Sequence, residues 1–443
     1  MSTPLNRRAV FDQSWPIMLG QASVPLVGIV DTVVIGRTGD AVALAGVALG
    51  ATIISFVFWA FGFLRMGMTG MTAQAEGAGD VREVDRLLAR GMMLGLALGA
   101  ALFVAQVALI PLALGLMAGG ADVSAEAQAY VAARFWGAPA ALALFALLGW
   151  LLGRGRTRAA LFVQVAMNAI NGVLDIVFVW GFGLGAAGIG FGTAIAEWSA
   201  LAIGLIVALR IAGPGMRAAL TDRVALFDPA ALRRLFMVNA DIMVRTVALL
   251  TLFAWFTNAG AREGATALAA QHVLMQFVAV SAFVLDGFAF TAEMRIGQAI
   301  GRRSRAEFDR AFRLAGEFSL VAGLAFALGI WIAGDAIVAF VTPDEGVRAI
   351  AGAMLWAAAL VPLIGVPAWL LDGVFLGATA GRALRNAALI STAAYVATDL
   401  ALRPHGITGI WIALLASYVY RAGALAAFLP ALRRGIAHAA PPA

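Results

Sequence analysis

From Gln21 to Gly36 the chain reads Gln-Ala-Ser-Val-Pro-Leu-Val-Gly-Ile-Val-Asp-Thr-Val-Val-Ile-Gly, an apolar run with one charge in it, Asp31. Similar runs recur as far as residue 432. Runs of roughly 20 apolar residues leave little choice of structure, because hydrocarbon offers no water to the backbone and only a helix satisfies its own N–H and C=O groups. Hydrophobic residues are 62% of the 443 and charged residues 13%, too little polar surface to clothe a water-soluble fold of this length. The expected class is an all-α membrane protein.

Apolar runs read against charged breaks predict twelve transmembrane helices, near 13–36, 46–75, 88–118, 126–153, 159–181, 186–212, 233–260, 265–299, 312–340, 347–377, 383–402 and 406–432. Arginines fall in alternate breaks: Arg7 and Arg8, Arg82 to Arg90, Arg154 to Arg158, Arg217 to Arg234, Arg302 to Arg313, Arg382 and Arg385, Arg433 and Arg434. Basic loops stay on the cytoplasmic side, so both termini are expected there, in an integral plasma (inner) membrane protein. No cleavable leader is expected before the first span, which lacks the short apolar core and small-residue cleavage site of one.

An internal repeat supports the count. A shift of 224 residues carries Gln74 to Gln298, Glu83-Val-Asp85-Arg86 to Glu307-Phe-Asp309-Arg310, Gly149 and Gly153 to Gly373 and Gly377, and Asp175 to Asp399. Six spans per half give the halves the same orientation, so they are expected as two six-helix lobes related by a pseudo-two-fold axis along the membrane normal. The expected division is a lobe over 1–212, a cytoplasmic linker over 213–232, a second lobe over 233–432 and a cytoplasmic tail over 433–443. One chain then holds a complete transport unit, so a functional monomer is expected.

An Asp near the bilayer centre is disfavoured by roughly 3 kcal/mol or more, so such a residue usually faces a partner or an ion path. Asp31, Asp175 and Thr193 fall at one depth, on the order of 8–10 Å below the outer ends of their spans at helical rise. Asn168, Asn171 and Asp175 are spaced to share one helix face. Carboxylates with an amide and a hydroxyl at one level suit Na⁺ through oxygen ligands, or a shared proton; interhelical hydrogen bonding is the plainer alternative for the Asn and Thr. Asp286 and Asp372, with Gln21 and Asn168, are candidates for a substrate-binding lining. Asp241 and Arg245, four apart, are expected to pair with each other. Arg65, Glu197, Glu293, Arg295 and Arg421 are expected to pair or snorkel at the lips of the spans. Pro25 and Gly28, just before Asp31, allow the first helix to bend where it carries its titratable group. The chain has no Cys and no Lys, which excludes disulfides, thiolate chemistry and a phosphate loop of its own; no cofactor and no nucleic-acid partner is expected, and no nucleophile–base set points to an enzyme.

Pro25-Leu-Val-Gly-Ile-Val-Asp31-Thr-Val-Val-Ile-Gly36, Asn171-Gly-Val-Leu-Asp175-Ile-Val-Phe178, Leu285-Asp-Gly-Phe-Ala-Phe-Thr-Ala-Glu293 and Leu371-Asp-Gly-Val-Phe-Leu-Gly377 together resemble the multidrug and toxic compound extrusion (MATE) family in its DinF-type branch. The resemblance covers nearly the whole chain. It implies a central cavity and outward extrusion of organic, often cationic compounds driven by inward H⁺ or Na⁺. It implies a cation site at Asp31, Asn171, Asp175 and Thr193, with bending of the first helix at Pro16. Two other readings stay open. A lipid-linked oligosaccharide flippase of the same superfamily would want a basic cavity, and a major-facilitator transporter would want a Gly…Asp-Arg-x-Gly-Arg-Arg-like loop after the second span that Glu76 to Arg86 does not supply.

Overall fold

A computed structural model of the protein describes residues 5–117, 120–212, 215 and 222–436. Among these residues every regular element is a helix. In chain order they are α1 (Arg7–Gly36), α2 (Ala41–Ala60), α3 (Phe63–Ala78), α4 (Val81–Leu116), α5 (Ala121–Phe135), α6 (Ala138–Gly153), α7 (Thr157–Ile176), α8 (Gly185–Ala212), α9 (Arg223–Leu226), α10 (Pro229–Arg262), α11 (Ala265–Gly301), α12 (Arg305–Val341), α13 (Glu345–Ile364), α14 (Val366–Gly377), α15 (Gly381–Leu402) and α16 (Gly406–Gly435).

Ten helical segments are long and apolar enough to cross a membrane, and α5 with α6, bent by 53° at their junction, makes an eleventh. The longest segment, Gly381–Gly435, is α15 and α16 on either side of the turn Arg403–His405. The hydroxyls of Thr398 and Tyr420 lie 3.0 Å apart, so these two helices run back along each other and complete the twelve. The spans near 46–75, 126–153 and 347–377 are each broken where a single helix was expected, at Phe61–Gly62, Trp136–Gly137 and Gly365. Pro139 and Pro367 sit in the first turn of the helices that follow the second and third breaks, the one place where a helix loses nothing to a missing N–H. Polar side chains start the helices: Asp40 accepts from Val42 and Ala43 N–H, Asp80 from Glu83, Ser304 from Glu307 and Asp344 from Val347, each covering donors the helix cannot pair itself.

Grouped by Cα proximity the chain forms two units, one of Leu19–Glu76 and Asp80–Leu235, the other of Met1–Met18, Gly77–Gly79 and Phe236–Ala443. The helix α1 changes unit just after Pro16. Of the expected linker, residues 213–214 and 216–221 lie outside the described residues, as do 437–443 of the expected tail. The end of the linker is fastened to α4: Arg86 reaches Asp222 at 2.9 Å, and Arg90 donates to the carbonyls of Ala225 and Leu226. The Ala225 N–H, and then Arg86, hold the Asp222 carboxyl below the usual carboxylate range.

The repeat is written into the backbone contacts of each unit. A Cβ on Gly149 would come within 2.4 Å of the Arg65 carbonyl, and one on Gly153 within 2.6 Å of that of Thr69. In the second half a Cβ on Gly373 would lie 2.3 Å from the Ala289 carbonyl, and one on Gly377 2.1 Å from that of Glu293. All four contacts obey the 224-residue shift, so α6 on α3 and α14 on α11 are one packing motif used twice. The backbone turns repeat as well: φ is 75° at Gly79 and 55° at Arg303, 72° at Gly155 and 52° at Thr379. Gly149→Ala and Gly373→Ala are each expected to lower the thermal unfolding midpoint of the purified protein in detergent, the overlap costing about 1–3 kcal/mol. Gly423→Ala, whose methyl would meet nothing within 4 Å, is expected to leave the midpoint in place.

Candidate functional site

Asp31 lies on α1 and is 7% exposed, although apolar neighbours on the same helix, Leu26 and Ile29, are each 57% exposed. Asp175 occupies the last turn of α7 and is fully buried. Directly after α7 the chain widens into a π turn, Val177–Gly181, a distortion often found beside functional residues. The carboxyl groups of Asp31 and Asp175 lie within hydrogen-bond reach of each other. Asn171, one turn before Asp175, donates through Nδ2 to Asp175 Oδ1 at 3.2 Å and to Thr193 Oγ1 at 3.0 Å. Thr193 in turn donates to the Ile189 carbonyl.

Room for this cluster comes from glycine. A Cβ on Gly192 of α8 would sit 2.2 Å from Asp175 Oδ1, and one on Gly50 of α2 would sit 2.5 Å from the Tyr130 ring. Three buried oxygens, Asp31 Oδ1, Asp175 Oδ2 and Asn171 Oδ1, have no hydrogen-bond donor. Acceptors without donors, two of them on carboxylates, make a site that fits a proton or a small hard cation. Na⁺ would be held by Asp31, Asn171, Asp175 and Thr193.

Around the carboxylates stand two residues that sequence reasoning missed. Tyr130 and Arg134 lie one turn apart on α5, are 4% and 8% exposed, and interact electrostatically with both Asp31 and Asp175. Arg134 is held by Glu197 of α8 through two parallel bonds, Nη1 to Oε2 and Nη2 to Oε1. Their i, i+4 spacing inside an apolar span was the available signal.

Glu197, Glu293 and Arg421, expected at the lips, are all buried; for Glu197 and Arg421, partners on neighbouring helices, Arg134 and Asp372, replace the water that snorkelling would seek. Asp241 and Arg245 do not pair with each other. Asp241 bonds Arg385 and Arg245 bonds Asp372, each at 2.7 Å; neighbouring helices offer straighter geometry than the same helix one turn on. Asp372 has Arg421 at 3.7 Å as well, so its charge is matched twice over. Asp286 is half-buried in the same unit. In the other unit Gln21 is half-buried, and Asn168 donates to the Ser23 carbonyl, tying α7 to α1.

The second half holds an altered copy of the carboxylate site. Asp399, the repeat mate of Asp175, accepts from Trp255 Nε1 at 2.8 Å and Arg262 Nη2 at 3.2 Å. Trp255 stands where the repeat would place the mate of Asp31. One carboxylate compensated by a guanidinium has no use for a further cation.

The MatE family model matches the chain twice, at residues 16–177 and 242–398, once in each half. The DNA damage-inducible protein F of Escherichia coli (strain K12) is 36% identical over 420 residues, 95% of this chain and 91% of that protein. A probable multidrug resistance protein NorM of Bradyrhizobium diazoefficiens is 32% identical over 72% of this chain and 68% of its own. Among solved structures, the Vibrio cholerae MATE transporter VcmN in its bent form superposes with a TM-score of 0.86 over 97% of both chains at 20% identity. A MATE protein in the straight conformation gives 0.84 over 98% of this chain and 96% of the other at 17% identity. A family model recognised in both halves, a relative alike along nearly the whole length and the same fold in solved transporters lead to one conclusion: the chain belongs to the MatE family.

Proposed function

We propose that this protein is a secondary active multidrug efflux transporter of the inner membrane that exports organic, cationic or amphipathic compounds in exchange for inward H⁺ or Na⁺. One observation carries the coupling site: two carboxylates meet in a buried cluster whose remaining oxygens lack donors, and whose one nearby guanidinium is already paired. Two carboxylates at hydrogen-bond distance away from water do not both stay charged. They hold a proton or a metal cation between them, and losing it changes the cost of their being together. The family, and the NorM name borne by several relatives, support drug efflux over the flippase and major-facilitator readings.

The coupling follows from where the ligands are anchored. Asn171, Asp175 and Thr193 sit on α7 and α8, which are tied by the Asn171–Thr193 bond. Asp31 sits on α1, where Pro16 and Pro25 remove backbone donors and leave the carbonyls of Asp12 and Gln21 without their helical partners. An ion shared between Asp31 and Asp175 holds α1 in one shape, and its departure releases α1 to another. Transport requires that ion and substrate favour different shapes, since a ligand shifts an equilibrium only by its differential affinity. Substrate contacts at Gln21, Asn168, Asp286 and Asp372 are part of the proposal, as are function as a monomer among lipids and cytoplasmic termini.

The expected outcomes are these. In proteoliposomes loaded with a fluorescent cationic dye, an imposed gradient of H⁺ or of Na⁺ drives efflux; Asp31→Asn reduces it to the level of empty vesicles, and Asp399→Asn keeps its ion dependence. Full transport by Asp31→Asn sinks the coupling site. If Na⁺ is the driving ion, protons compete for the same oxygens, so acidifying the ion-entry side raises the Na⁺ concentration for half-maximal efflux; an unchanged value at lower pH counts against a shared site. Because the chain lacks Cys, single cysteines report topology cleanly: Ser304→Cys is expected to react with an impermeant maleimide from the cytoplasmic side and Thr38→Cys from the outside, and the reverse labelling overturns the orientation.

A further inference from the structure

The Arg134–Glu197 pair lies in the same unit as the carboxylates, and neither residue is an ion ligand in the coupling scheme above. Glu197 follows Thr193 by one turn of α8, as Arg134 follows Tyr130 by one turn of α5. Space for the pair is built in: a Cβ on Gly137 would meet Glu197 Oε2 and Arg134 Nη1, and the guanidinium lies 4.9 Å from the centroid of the Phe58 ring. A buried ion pair is a poor stabiliser compared with apolar packing, because both charges give up water. Its position is more telling. Among the described residues, the titratable or polar groups that interact with Asp31 and Asp175 or bond their partners are Tyr130 and Arg134 of α5, Asn171 of α7, and Thr193 of α8, with Glu197 bonded to Arg134. Arg134 is the cation among them. Left to itself it would be a permanent counter-ion for the two carboxylates, and a site already neutralised by arginine has no need of H⁺ or Na⁺.

We propose that Glu197 is a positioning residue for ion coupling: by closing a two-bond pair with Arg134 it withholds that cation from Asp31 and Asp175, and so sets the ion concentration at which they load. This rests on the reading of Asp31 and Asp175 as the coupling site. The arrangement accounts for why the pair lies beside the site, and why both charges are retained in a place where an apolar pair would pack at no electrostatic cost.

The test is dye efflux from proteoliposomes carrying the purified full-length protein, measured against the concentration of the driving ion on the side from which it enters. Glu197→Gln is expected to raise the half-saturating concentration about tenfold, the effect of one unmatched charge on the order of 10 Å away in a medium of effective dielectric about 20. The maximal rate is expected to stay within about twofold, because the site residues themselves are unchanged. The double variant Arg134→Gln with Glu197→Gln removes both charges and is expected to return within about threefold of the wild type, as coupled neighbours do when the pair is deleted together. A Glu197→Gln value equal to the wild type overturns the proposal, as does a double variant shifted as far as the single one. If Glu197→Gln does not fold, Glu197→Asp takes its place: the charge is kept but the shorter arm gives up the two-bond pair, a rise smaller than that for Glu197→Gln is expected, and an unchanged value overturns it. Asp31→Asn in the same series separates the two readings. Ion-driven efflux by that variant overturns the coupling site itself, whereas its loss beside an unshifted Glu197 variant overturns only the role of Glu197.

Discussion

An ionised side chain away from water must find an opposite charge, a set of donors or a proton, and nearly every polar choice in this bundle answers that demand. Arg134 has Glu197, Arg245 has Asp372, Asp241 has Arg385, and Asp399 has Arg262 and Trp255. Each pairing joins two different helices, so the charges also fix which helices are neighbours. Asp31 and Asp175 stand apart because their nearest ionisable neighbour is each other. What the rest of the bundle solves internally, this pair would solve, on the proposed coupling, by taking a cation from outside.

The scaffold that makes such a pair possible is a duplicated one. Gly149 and Gly153 bring α6 against carbonyls of α3, and Gly373 and Gly377 bring α14 against the equivalent carbonyls of α11. Close backbone approach of this kind is how membrane helices associate when lipid offers them no hydrophobic drive. Packing therefore stayed the same in the two halves while the polar residues diverged. Where the first half keeps Asp31, Asn171, Asp175 and Thr193, the second has Trp255, Tyr395, Asp399 and Ser417 at the corresponding positions.

Hydropathy made the helices legible, because a bilayer-length apolar run has one solution. The breaks inside α2–α3, α5–α6 and α13–α14 were harder to see: Gly62, Gly137 and Gly365 sit in runs whose apolar character continues across them. Asp31, Asn171, Asp175 and Thr193 could be grouped because depth and helical spacing are both arithmetic on residue numbers. Tyr130 and Arg134 could not, since their place beside Asp31 depends on how α5 rotates against α1 and α8. The same ignorance of rotation paired Asp241 with Arg245, when each looks outward to another helix.

On the proposed coupling, the arginine that closes on Asp399 has a thermodynamic consequence for the whole chain. A transporter with two loadable halves would draw on two ions in each cycle and could, for chemical gradients, raise its cargo ratio to the square of the ion ratio. With the second half sealed by its own guanidinium, a cycle carrying one monovalent ion against one monovalent cation moves no net charge. Its cargo gradient then stops at the ion gradient, and the membrane voltage adds nothing. On the proposed coupling, with one ion taken up per cycle, the duplicated scaffold would work as a one-stroke engine, with a ceiling set by ion concentrations alone.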